Sequence, residues 1–133
     1  MSKTRYLLDT HAVIFWATQT EMSPEFLNFL DEQDRLGHLL MSALSFWEMA
    51  LLTQKGKLAF SNVHQWKEEL LKNTHLQLIT PTAEEMIDST LLPPHHKDPF
   101  DRLLIVQANH HQAWLVSKDS MMERYEVDVF WMS

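Results

Sequence analysis

Between one short apolar segment and the next, this chain inserts a stretch with helical spacing, and that alternation limits its fold more than any other feature. Tyr6-Leu7-Leu8, His38 to Met41, Leu76 to Ile79, Trp114-Leu115-Val116 and Val127 to Trp131 read as strands. Thr10 to Ala17, the stretch after Ser23-Pro24, Ala43 to Lys55, Val63 to Lys72, the stretch after Thr82, Pro99 to about His111 and a short Ser120 to Arg124 read as helices. Helices that cross between strands bring those strands back in the same direction, whereas hairpins would reverse them. The pattern therefore predicts an α/β protein of three layers, with a central, mostly parallel sheet of about five short strands and helices on both faces. A chain of 133 residues fits a single domain spanning 1–133 and can bury a sizeable core.

Local signals fix the helix ends. Ser23 before Pro24 is an N-cap followed by proline in the first turn, and Gly37 closes the helix carrying Phe26, Leu27, Phe29 and Leu30 on one face. Gly56 is the corresponding stop after Lys55. Thr82 and Glu85 form a capping box, and Pro93-Pro94 ends the helix they open. Asp98 caps the helix that begins at Pro99.

The chain has no cysteine, which excludes disulfides, thiolate zinc sites and thiol nucleophiles and is compatible with a reducing cytoplasm. No apolar run is long enough to span a membrane, and Asp9 interrupts the only apolar segment near the charged start too early for a signal peptide. The formal net charge of −7 gives no global attraction for a phosphate backbone. Bound cations would reverse the local charge if the carboxylates are gathered in one pocket.

Four acids stand where an open parallel sheet forms its sites, beyond the carboxyl ends of strands. Asp9 ends the first strand, and Glu48 lies in the helix after the second. Asp101 is in the first turn of the helix opened by Asp98-Pro99-Phe100, and Asp119 follows the Trp114 strand. Each also has a purely structural reading. Asp9 and Asp119 are positioned to cap the helices that follow them, and Asp101 suits the positive end of a helix dipole. Ser45 and Glu48 have capping-box spacing, but Ser42 ends the strand more naturally and leaves Glu48 in the second turn, among apolar neighbours. Oxygen-only ligands suit Mg²⁺ and Mn²⁺, so a converged set would serve metal-assisted phosphodiester cleavage.

Four blocks together carry a resemblance: Leu7-Leu8-Asp9-Thr10-His11, Ser42 to Ala50, Lys97 to Ile105 with its Asp98-Pro99-Phe100-Asp101-Arg102 core, and Leu115 to Asp119. In this order, from about residue 5 to 131, the chain resembles PIN-domain ribonucleases, especially VapC-type toxins of toxin–antitoxin systems. Ser117 departs from the threonine of many relatives but keeps the hydroxyl. The resemblance implies a PIN-like fold and a cytoplasmic endoribonuclease that hydrolyses RNA with Mg²⁺ or Mn²⁺. It implies that Asp9, Glu48, Asp101 and Asp119 are the catalytic, metal-holding acids. Asp9 and Asp101 are expected as direct ligands, Glu48 as a ligand or water-positioning group, and Asp119 as a ligand through water or to a second metal. Thr10 and Ser117 would orient the acids, with N-capping or strand-end hydrogen bonding as their structural alternative. A cognate VapB-like antitoxin, and often a second copy of the toxin, complete the implied partners, with no role for a membrane.

Two other readings compete. An aspartyl-phosphate phosphatase or phosphoacceptor also places Asp after a first strand, but Asp9-Thr10-His11 lacks a second acid two residues on. A catalytically inert PIN-like interaction module would not need four acids. Among the remaining residues, Asp98 is expected only to cap. Arg102 is expected to contact RNA phosphate or to pair with an acid, and Lys118, with Lys55 and Lys57, to meet phosphate or solvent. His11 is expected to pack. His95-His96 and His110-His111 are not spaced to join the acids, so no histidine–metal site is expected. Trp16, Phe26, Phe29, Trp47 and Trp66 are expected in the core or an interface.

Overall fold

The computed structural model describes residues 3–133; Met1 and Ser2, at the charged start, lie outside the described residues. Five strands alternate with six helices: β1 (Arg5–Leu8), α1 (Thr10–Thr18), α2 (Pro24–Arg35), β2 (Leu39–Ser42), α3 (Leu44–Gln54), α4 (Val63–Asn73), β3 (Gln77–Ile79), α5 (Ala83–Thr90), α6 (Pro99–His110), β4 (Ala113–Val116) and β5 (Val129–Phe130), with a 3₁₀ turn at Ser120–Arg124 before the last strand. The sheet order is β3-β2-β1-β4-β5, and all four pairings are parallel. The expected mostly parallel sheet is thus wholly parallel. The two edge strands are shorter than the apolar runs that signal them, because an edge strand pairs on one side only and its ends leave the ladder.

Period-two alternation divides the core between the faces. Leu7 aligns with Leu40 and Leu115, and these side chains pack with Leu104, Ile105 and Ala108 of α6. Leu8 aligns with Met41 and Val116, and they pack on the opposite face with Ala12, Phe26, Leu30 and Leu70. Central strands buried on both faces read as unbroken apolar runs, as the sequence shows.

The caps at Ser23, Thr82 and Asp98 follow the sequence signals, and Asn62 adds one for α4. Ser23, Asn62, Thr82 and Asp98 each accept a backbone N–H in the first turn of their helices, and Thr82 with Glu85 completes a capping box. Gly37 has φ +76°, and around it the Gly37 and His38 N–H groups bond back to Asp34 and Gln33, so α2 ends where a left-handed residue is required. α5 stops at Thr90, before Pro93-Pro94, since those prolines cannot continue it. No helix among the described residues is long and apolar enough to cross a membrane.

In this strand order the chain winds outward from β1 through β2 to β3, then returns to the other side of β1 to lay down β4. The crossovers on either side of the β1–β4 pair therefore diverge, opening a crevice at the carboxyl ends of those two strands. Asp9 and Ser117 stand at its two lips.

Candidate metal centre

Asp9 is fixed by three local interactions. Its N–H bonds to the Val116 carbonyl of the adjacent strand at 3.0 Å, and Oδ1 accepts the Ala12 N–H at 2.8 Å. The Ser117 hydroxyl lies beside the same carboxylate. Capping and facing the crevice are thus not alternatives, since the cap holds the carboxylate at the crevice. Asp9 is buried, and burial raises its pKa, against the lowering effects of Ser117, the Ala12 N–H and nearby His11.

Glu48 arrives from α3. The helix starts at Leu44 with no side-chain cap bond, while the Ser42 hydroxyl accepts the Leu44 N–H. Glu48 therefore lies in the second turn, as expected. Its carboxylate accepts a hydrogen bond from the Thr10 hydroxyl, which also shares a bond of 2.9 Å with the Ser45 hydroxyl. Burial raises the Glu48 pKa, the Thr10 bond lowers it, and Asp98 and Asp9 raise it further. Trp47 and Phe100, one residue before Glu48 and Asp101 respectively, meet edge-on with centroids 5.0 Å apart, which brings the starts of α3 and α6 together. Trp47 is otherwise largely exposed, unlike the other aromatics assigned to the core.

Asp101 stands at the third position of α6, with its carboxyl pushed up to about 8 by burial and then by Asp98, Asp9, Glu48 and Asp119. Asp119 follows β4. Its Oδ1 accepts the Met121 N–H, and its own N–H donates to the Ser117 hydroxyl at 3.1 Å. Ser117 thereby touches two of the acids, and Thr10 a third. Asp98 caps α6 through the Phe100 N–H, but its charge also raises Asp101 and Glu48, so it is more than a cap.

The fold thus gathers all four acids. Among the described residues, no lysine or arginine forms an ion pair with any of them. Buried carboxylates without cationic side chains are costly, and they supply the hard oxygen donors that divalent cations take. The residues present fit such a cation.

Two expectations need correcting. The histidine expected to stand apart does not: His96 Nε2 is 2.9 Å from Asp101 Oδ2 and 3.0 Å from Asp119 Oδ2. Donor atoms of these three residues all lie within 4.8 Å of one another. Spacing along the chain hides the relation, because it depends on how the loop before α6 folds back over the start of that helix.

Arg102 is the other correction. Its guanidinium donates to the carbonyls of Ser89, at the end of α5, and of Leu92, Pro93 and His96, in the loop before α6. The expected acid pair is not among its contacts, because the first turn of α6 aims the side chain at that loop. Lys118 lines a cavity of about 280 Å³ with Asp9, Asp119, His11, Ala12, Phe15 and Trp131. His11 also lines this cavity, exposed, with its ring beside that of Phe15 at 6.0 Å between centroids.

Known proteins share this architecture. The family model described as "PIN domain" matches residues 6–128. Ribonuclease VapC22 of Mycobacterium tuberculosis is 27% identical over 126 residues, covering 92% of each chain. The crystal structure of VapBC2 from Rickettsia felis, bound to a DNA fragment from their promoter, superposes with a TM-score of 0.65 at 16% identity, over 93% of this chain and 95% of that one. FitAcB from Neisseria gonorrhoeae gives 0.62 at 18% identity, over 94% and 96%.

Proposed function

The chain belongs to the PIN-domain family, and from that premise we propose that it is an endoribonuclease that hydrolyses RNA phosphodiester bonds with Mg²⁺ or Mn²⁺, as the toxin of a toxin–antitoxin pair. One observation carries the reading: four partly or fully buried acids converge at the switch point of a parallel sheet with no lysine or arginine ion-paired to them among the described residues. Its nuclease activity is supported by likeness to a protein named a ribonuclease. A VapB-like antitoxin as partner is supported by likeness to VapBC2, and a second copy of the chain is part of the same proposal.

In this mechanism Asp9 and Asp101 would hold the cation, with Glu48 and Asp119 beside them. When bound, the metal supplies Lewis acidity to the scissile phosphate and acidifies the attacking water. Thr10, by donating to Glu48, fixes the carboxylate that orients this water. Ser117 sets the relative position of Asp9 and Asp119. Lys118 on the cavity rim meets an RNA phosphate beside the acids.

The test is cleavage of total RNA by the purified chain in EDTA, in Mg²⁺ and in Mn²⁺, with Asp9→Asn prepared identically. Cleavage should require added metal and vanish in Asp9→Asn. Cleavage that survives excess EDTA, repurification and Asp9→Asn would rule out this mechanism.

A further inference from the structure

The loop between α5 and α6 is tied down more firmly than a connection requires. Arg102 bonds three of its carbonyls, including that of His96 at 3.1 Å, and that of Ser89 in the last turn of α5. The His96 N–H donates to the Tyr125 hydroxyl at 2.7 Å, and the Asp98 N–H donates to His96 Nδ1 at 3.2 Å. Backbone and one ring nitrogen are therefore both held, and the ring is largely buried, with its other nitrogen between Asp101 and Asp119.

The hydrogen bond at Nδ1 decides what Nε2 can do. A neutral imidazole has one N–H, and a nitrogen that accepts a bond does not carry it. With Nδ1 accepting from Asp98, the proton is on Nε2. It then donates to Asp119 Oδ2 at 3.0 Å, with Asp101 Oδ2 2.9 Å from the same nitrogen. Direct ligation through Nε2 would move the proton to Nδ1, against the Asp98 N–H. A donor to a carboxylate oxygen leaves that group further lone pairs for a cation.

We propose that His96 is a positioning residue of the metal centre: its Nε2–H, hydrogen-bonded to Asp119 and in contact with Asp101, holds the two carboxyl groups converged for a divalent cation. The proposal rests on the metal reading of the acids. It extends that reading to a residue outside the four-acid set, and it gives Arg102 and Tyr125 a purpose, since they fix the ring that fixes the carboxylates. Once Asp101 is ionised, as it must be to hold a cation, mutual repulsion would otherwise spread it from Asp119.

Mn²⁺ binding to the full chain, measured by calorimetry for wild type, His96→Ala and His96→Gln, tests this without reference to cleavage. His96→Ala should weaken Mn²⁺ binding about 10–100-fold, the usual effect of removing a group that orients a metal ligand. Glutamine restores an N–H donor at similar reach but no ligating nitrogen, so His96→Gln should stay close to wild type. Ring-nitrogen chemical shifts of the wild type in EDTA should report the Nε2–H tautomer. Binding by His96→Ala as tight as wild type would overturn the proposal while leaving the metal centre intact. So would an Nδ1–H tautomer. So would nitrogen hyperfine coupling from bound Mn²⁺ together with loss of binding in His96→Gln, which would make the ring a ligand. A wild type that takes up no Mn²⁺ would instead overturn the metal reading itself, and this proposal with it.

Discussion

Desolvation and four acidic neighbours together push the Asp101 carboxyl from 3.8 up to about 8, so the folded chain keeps a proton there that the unfolded chain has already released. Below about pH 4 both states are protonated and the group contributes no pH dependence. Between the two values the folded state binds more protons, so each rise in pH favours unfolding, and above about 8 the loss is complete. Asp9 and Glu48 are shifted in the same direction. In EDTA, wild-type stability should therefore fall as pH rises from 5 to 9, and Asp101→Asn should give a distinctly flatter profile. Urea unfolding across that range checks it. Parallel profiles for the two proteins would mean that Asp101 does not carry the shift.

Among the elements, α6 does the most to assemble the site, because it supplies Asp101 and, through Arg102, the anchor for the preceding loop. A planar guanidinium reaches several carbonyls at once, whereas a lysine ammonium is a point donor on a flexible stem. Arg102→Lys should leave carbonyls of Ser89 to His96 without partners and cost about 1–3 kcal/mol. Denaturant unfolding in EDTA measures this, and unchanged stability would show that the loop holds its shape without the clamp. The caps of α2, α5 and α6 were legible because each depends on residues within one turn. The true lengths of β3 and β5 were not, because an edge strand extends only as far as its neighbour pairs with it.

For the molecule as a whole, the converged carboxylates make folding and cation binding one linked equilibrium. A cation held only by the folded state adds RT ln(1 + [L]/Kd), about 2.7 kcal/mol at a hundredfold excess over Kd. Mn²⁺ should accordingly raise the Tm of the wild type relative to EDTA, and Asp9→Asn should lose most of that gain. Thermal unfolding of both proteins in both buffers is the measurement. Equal Tm values for wild type with and without Mn²⁺ would leave the acids without a metal to hold. The net charge of −7 is consistent with this linkage, since much of what makes the acids costly is their mutual repulsion in one place.

The sequence by itself determined the α/β class, the parallel sheet, the positions of the helix starts and the four acids, because these follow from periodicity, capping and block order, all local along the chain. It also identified Thr10 and Ser117 as neighbours of the acids. Only the tertiary structure decided which side chains meet. Arg102 turned to the loop that carries His96, and Asp98 proved close enough to raise two acids. His96 itself came to lie between Asp101 and Asp119. Those outcomes depend on how the α5–α6 loop folds back over a helix end and on Tyr125, 29 positions further along. Contacts across such separations are set by packing, which no local spacing encodes.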